Sequence, residues 1–308
     1  MAAEDIQHMT GLGLENTIAG KGKLFYHRHL KDLQELILVL IHGYRQSSFM
    51  WRHVIPLFIP DIPGYGRSAP LSIPHSKLNQ GAAIFSTLSS SSAQQKQPLN
   101  LIGHDRVARI FHRLAVDTSP NPWCYPPRHR TDIGSVGNFQ RCKGFDGKFP
   151  LANIELATKM IQAQSGDIWI HNCLERWVGK SEVGLGKFQE HGAVDVYANF
   201  CRNRSVTRAT CDDYRAGAEK DIKLQEEDQR MGRKMDICVM AVYSKDYLEM
   251  RYDVKKVWEE WIVDSAKGKF EAWPIGDGVG HFIAEEAPEK VVEFLDRFYN
   301  MLAFDGLV

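Results

Sequence analysis

The stretch Leu99-Asn100-Leu101-Ile102-Gly103-His104-Asp105-Arg106-Val107-Ala108-Arg109 decides the fold. Leu99, Leu101 and Ile102 form an apolar run that reads as a short buried strand. Beyond the turn, Val107, Ile110, Phe111 and Leu114 recur at helical spacing and mark one apolar face. Gly103 and Asp105 stand as the first glycine and the central residue of a G-x-nucleophile-x-G elbow between strand and helix. Such an elbow exposes one side chain beside the unpaired N–H groups of the helix start. The helix dipole there favours a carboxylate and the oxyanion it becomes during reaction. An aspartate so placed can attack carbon and form an ester that water later cleaves. The plainer reading of Asp105 is a helix N-cap.

Working outward, residues 36–41 (LILVLI) form an unbroken apolar run, which implies a central parallel strand buried on both faces. It ends in His42-Gly43-Tyr44. Residues 16–30, around Gly20 and Gly22, suit a hairpin at a sheet edge. Residues from Trp51 can start a helix, and Phe58 to Asp61 give a short strand before the glycine-rich turn Pro63-Gly64-Tyr65-Gly66. The polar, serine-rich run 86–97 reads as a loose surface connection. Residues 118–150 show no sustained period, whereas 151–234 are mostly helical. Residues 237–243 are a second strong buried strand, followed by Ser244-Lys245-Asp246. Residues 270–275 make a last strand, the loop 276–282 carries His281, and Pro288 opens a helix. Strands alternating with helices on both sides of a helical block predict an α/β fold with a mostly parallel central sheet. The core is expected from 1–150 and 235–308, with 151–234 inserted as a helical cap.

The chain has 308 residues, 44% of them apolar, enough for one large domain carrying an insertion. Lys+Arg and Asp+Glu both number 38, so no global field draws in nucleic acid or an anionic membrane. The six cysteines form no CxxC or paired metal spacing and read as reduced thiols. No leader is legible near Met1 and no apolar run approaches the ~18 residues of a membrane span, so a cytoplasmic protein is expected. The expected partner is a small-molecule substrate, without metal, cofactor, nucleic acid or membrane. A homodimer stays open.

With His42-Gly43, Asp61 to Ser68, Gly103 to Arg109, Cys211-Asp212-Asp213-Tyr214-Arg215-Ala216-Gly217-Ala218 and Gly280-His281-Phe282 in view, the chain resembles the α/β-hydrolases. More narrowly it resembles the haloacetate (fluoroacetate) dehalogenases, neighbours of the epoxide hydrolases. The resemblance implies a hydrolase that cleaves a carbon–halogen bond of a 2-haloacid through an aspartyl ester. It implies Asp105 as nucleophile and His281 as the base that activates water. The backbone N–H groups of Tyr44 and Arg106 would form the oxyanion hole. Arg106 and Arg109 would hold the substrate carboxylate, and Tyr214 the departing halide. A guanidinium suits the first task, because it grips a carboxylate through paired hydrogen bonds.

The acid that orients His281 has two candidates. Asp132, in Thr131-Asp132-Ile133, is expected in the turn after an earlier strand, where this family keeps its acid. Asp246 follows the later strand, as in epoxide hydrolases, and Asp132 is narrowly favoured. Three departures stand out: Val107 replaces the elbow's second glycine, residues 51–61 are short, and no His-Trp dipeptide occurs. Two other readings stay open, an epoxide hydrolase and a non-catalytic binding protein of the same fold.

Overall fold

A computed structural model of the chain describes residues 13–19, 22–28, 37–54, 58–91, 99–118, 131–136, 150–249 and 253–304. The strands are β1 (Gly13–Ala19), β2 (Gly22–Arg28), β3 (Ile37–Ile41), β4 (Phe58–Pro60), β5 (Leu99–His104), β6 (Thr131–Val136), β7 (Val239–Ser244) and β8 (Phe270–Ile275). They form one sheet in the order β1-β2-β4-β3-β5-β6-β7-β8. β1 and β2 make the expected edge hairpin, with Ala19 opposite Gly22. From β4 onward every pairing is parallel. The α/β fold with a mostly parallel sheet is therefore present.

β3 shows why an unbroken apolar run predicts a central strand. Val39 and Ile41 pack into one apolar cluster with Leu101, Val107 and Phe111. Leu40, between them, packs into the other cluster with Ile102, Met240 and Phe294. Both faces of the strand are covered, so alternation would have exposed nothing to water.

In chain order the helices are α1 (Lys77–Ser91) and α2 (Arg106–Thr118). Six follow between β6 and β7: α3 (Ile154–Ala163), α4 (Gly166–Trp177), α5 (Glu182–Gln189), α6 (Ala193–Cys201), α7 (Arg204–Ala218) and α8 (Lys220–Arg230). The last are α9 (Val254–Glu259), α10 (Ile283–Glu286) and α11 (Pro288–Phe304). The run α3–α8 occupies the stretch expected as a cap. Among the described residues no helix is long and apolar enough to cross a membrane.

Two local expectations fail for identifiable reasons. Residues 86–91, read as a loose connection, are the last turns of α1. Thr87 and Ser90 turn their hydroxyls back onto the carbonyls of Ala83 and Ser86, at 2.9 and 3.0 Å, so these side chains do not compete with the helix. Ile84 and Leu88 bury the inner face. The helix expected from Trp51 is instead a 3₁₀ turn over Ser48–Trp51, capped by Ser47.

Val107 fits the elbow because Gly103 makes room for it. A Cβ on Gly103 would stand 2.7 Å from Val107 Cγ1, so the first glycine accommodates what the second would have left open.

Candidate active site

The site gathers at the carboxyl ends of β3, β5, β7 and β8, where open α/β sheets place their chemistry. Asp105 follows β5 with φ +54°. An N-cap residue has extended backbone and turns its side chain to its own helix, and Asp105 does neither. Its Oδ2 accepts from Tyr44 N–H, at 3.2 Å, across the crevice. The strained left-handed conformation lifts the carboxylate out of the elbow. Gly43 permits this approach, since a Cβ there would lie 2.9 Å from Asp105 Cβ. Burial pushes the Asp105 carboxyl up, but His281, His104, Arg106 and the Tyr44 N–H together hold it below its usual range. Asp105 is therefore held as an anion.

His281 lies across from it on the loop after β8, 7% exposed. Its ring is 4.7 Å from that of His104 and 5.4 Å from Trp177. Burial, helped by His104 and Arg45 and opposed by Asp105, pushes its pKa down to about 3. The ring is neutral near pH 7, as a base must be. Its Nε2 is buried without a hydrogen-bond partner among the described residues. His104 fixes the backbone, its Nε2 donating to the His281 carbonyl at 2.8 Å. Glu286 holds the loop from behind, accepting from the N–H groups of Gly179, Gly280 and Phe282 at 2.9, 2.7 and 2.9 Å.

The two acid candidates lie elsewhere. Asp132 is inside β6, in register with Asn100, four residues before the strand end at Val136. At ~3.3 Å per residue the backbone sets it about 13 Å below the end of the sheet where Asp105 and His281 meet. The expected turn is a strand because β5 and β7 flank it and supply the pairing that its own sequence, TDIGSV, does not announce. The stretch 137–149 that follows lies outside the described residues. Asp246 is exposed, in the turn after β7, and its Oδ2 accepts from Gly278 N–H at 3.0 Å. It steadies the His281 loop and makes no described contact with the ring.

Arg106 and Tyr214 do face the site. Arg106 Nε donates to Asp213 Oδ2 at 2.7 Å, and Nη2 donates to the Asp213 carbonyl at 2.9 Å. These bonds use two of its three nitrogens. Its guanidinium also lies 4.1 Å from the centre of the Tyr214 ring, which meets Tyr44 edge-on at 4.7 Å. Asp213 in addition takes Lys77 Nζ and the Tyr65 hydroxyl, so this one carboxylate of α7 seats the cap on the core. Arg109 is 5% exposed and reaches only the Gly217 carbonyl, at 3.4 Å.

Three participants were not singled out in the sequence. Asp213 stands beside Tyr214 in the sequence, and Glu286 lies five residues after His281. Arg45 follows His42-Gly43-Tyr44, where a charged residue ordinarily reads as solvated. It has φ +71° and 5% exposure. Among the described residues no group of three His, Cys, Asp or Glu could hold a metal ion.

No family model matches the chain. It is 26% identical over 285 residues to a fluoroacetate dehalogenase from Burkholderia sp, covering 85% of this chain and 86% of that protein. The Cif epoxide hydrolase from Acinetobacter nosocomialis superposes with a TM-score of 0.75 at 18% identity, covering 97% of this chain and 96% of that one. A candidate α/β-hydrolase from Nostoc sp PCC 7120 gives 0.74 at 23%, covering 94% and 99%. The chain thus has the α/β-hydrolase fold, and its likeness in sequence runs to a fluoroacetate dehalogenase.

Proposed function

We propose that this chain hydrolyses the carbon–halogen bond of a short 2-haloacid. The supporting observation is the anionic Asp105, lifted on its elbow and held by the Tyr44 N–H, opposite a neutral His281. One Asp105 oxygen attacks the α-carbon, and the carbon–halogen pair leaves with the halide, giving an ester on Asp105. His281 Nε2 then takes a proton from water, whose oxygen attacks the ester carbonyl. The oxyanion forms at the N–H groups of Tyr44 and Arg106. Collapse breaks the bond from the ester carbonyl carbon to the substrate oxygen, which takes the proton from His281 and leaves as the 2-hydroxyacid. The Asp105 carboxyl loses its proton to solvent and returns to carboxylate. Tyr214 stands by the departing halide, and Arg106, with Arg109 behind it, offers its remaining nitrogen to the substrate carboxylate.

Two supports come from outside the geometry: the sequence likeness to a fluoroacetate dehalogenase and the subfamily-like cap motif around Tyr214. A second reading is favoured by one observation. The phenol of Tyr214 lies near Asp105 and is kept protonated by burial, so it could donate to an epoxide oxygen. The Arg106 nitrogen left over from Asp213, with Arg109 beside it, speaks for the first reading, since it offers a substrate carboxylate donors that a neutral epoxide does not need. Halide release from fluoroacetate and chloroacetate, measured beside diol formation from an epoxide, tests both. Halide release without diol formation is expected. Diol formation alone would replace the first reading with the second, and neither product would leave a binding protein.

A further inference from the structure

The buried arginines divide into two kinds. Arg52 pairs with Glu285, Arg106 with Asp213, and Arg113 with Asp117 and Asp228. Arg45 is as deeply buried, yet among the described residues no carboxylate lies within ion-pair distance of it. Its Nε and Nη1 are buried without hydrogen-bond partners. What surrounds it is aromatic: its guanidinium lies 4.3 Å from the Tyr44 ring centre, 4.6 Å from Trp177 and 5.8 Å from Trp169. It also lines a small, partly open cavity of about 10 Å³ together with Gln46, Trp169 and Tyr197. An isolated buried guanidinium costs several kcal/mol of desolvation unless something anionic accompanies it. The aromatic faces and the neighbouring Tyr44 hydroxyl recover part of that, but Nε and Nη1 are left without an acceptor among the described residues.

Arg45 belongs to the reacting groups by position. It follows Tyr44, whose N–H holds Asp105, and its charge acts directly on His281 and Tyr214. Arg106, by contrast, spends its charge on Asp213. Among the described residues the site therefore carries one guanidinium paired with a carboxylate, Arg106, and two without one, Arg109, which donates to the Gly217 carbonyl, and Arg45, whose Nε and Nη1 have no partner.

We propose that Arg45 is a further anion receptor of this site beside Arg106, its Nε–H and Nη1–H binding a small monovalent anion, either the substrate carboxylate or the departing halide. This rests on the hydrolytic reading above for its ligands but not for its test, which needs no turnover. Trp177 and Trp169 flank the guanidinium, so an anion on Arg45 lies against both indoles. Tryptophan fluorescence is titrated with sodium bromide and with sodium acetate at fixed ionic strength, with acetamide as the neutral control. The wild type should show saturable quenching by bromide, acetate should displace it, and acetamide should do nothing. Arg45→Met should weaken both by about tenfold or more, as loss of a charge-assisted hydrogen bond does. Arg45→Lys should bind between the two, because it keeps the charge and loses the fork.

Thermal unfolding supplies a readout that a merely structural arginine would not move in the same way. Without added anion, Arg45→Met should melt no lower than the wild type, since it removes an unpaired charge. The anion-induced rise in Tm should disappear with it. Acetate binding without bromide binding makes Arg45 the carboxylate receptor, and the reverse makes it the halide receptor. Unchanged titrations in Arg45→Met overturn the proposal, as does a wild type that binds neither anion. Should Arg45→Met fail to fold, unchanged binding in Arg45→Lys overturns it equally. Anion binding that depends on Arg45 without haloacetate turnover would remove the hydrolytic reading alone.

Discussion

Asp105 and His281, the proposed nucleophile and base, are held in opposite ways. Asp105 is placed by its own neighbours in the chain: β5 delivers it, α2 follows at once, and the strain is stored in its own φ of +54°. Among the described residues one hydrogen bond from elsewhere, from Tyr44 N–H, fixes the carboxylate. His281 is placed by distant groups acting on a glycine-rich loop. Glu286 gathers three backbone N–H groups, including Gly179 of the cap, Asp246 takes Gly278, and Trp177 O accepts from His281 N–H at 3.0 Å. The backbone that places Asp105 is thus local, whereas the loop that places His281 is held by contacts with the helical run, at Gly179 and Trp177. Steps that need the nucleophile alone should survive damage that stops the base.

The largest effect belongs to the elbow. Asp105→Ala should lower turnover by about 10⁴-fold or more, to the background of halide release. Residual turnover within about a hundredfold of wild type would break the comparison at its first term.

Asp213 tests the seating. Asp213→Asn leaves Lys77 and Arg106 buried without their carboxylate and should cost about 3–5 kcal/mol of stability by urea unfolding. A loss under about 1 kcal/mol would mean that the cap is seated by other contacts.

Glu286→Gln keeps the volume but offers the three amides one oxygen and two unwanted donors. Turnover should fall by about a hundredfold, with the first halide released at close to the wild-type rate and the ester then accumulating. A slowed first halide would show that the loop also shapes the nucleophile's surroundings.

Asp246→Ala should cost less, about tenfold in kcat, because its carboxylate is exposed and holds a single amide. Asp132→Asn should leave turnover within about threefold, since the strand carries it away from the ring. A thousandfold loss there would return Asp132 to the orienting role first expected of it.

These contrasts mark what could be read in the sequence. The elbow was legible because strand run, glycine and helical period are contiguous, and β3 because continuous apolarity encodes burial on both faces. The histidine loop was legible as a motif. Its carboxylate scaffold was not, because Glu286 reaches Gly179 from 107 positions further along the chain. β6 escaped because a short polar strand is specified by its neighbours in the sheet. Arg45 escaped because nothing local announces that a charged residue will be buried among three aromatic rings.

The smallest expected effect is on acid stability. Burial lowers the His281 pKa from the 6.5 of a free ring to about 3. Between those values the unfolded chain binds a proton that the native chain does not. Stability from this group is therefore complete above pH 6.5 and declines as pH falls, by at most about 1.4 kcal/mol per unit. His42, His104 and His112 are lowered too and act in the same direction. His281→Gln should flatten the fall of Tm between pH 6.5 and 5 without removing it. An unchanged slope would mean that the ring is solvated.

The most direct measurement of the account is made on His281→Ala exposed to chloroacetate and then digested for mass spectrometry. With the nucleophile intact and the base gone, one carboxymethyl group should remain as an ester on Asp105, with one halide released per chain. An adduct on any other residue, or continued turnover without an adduct, would contradict it.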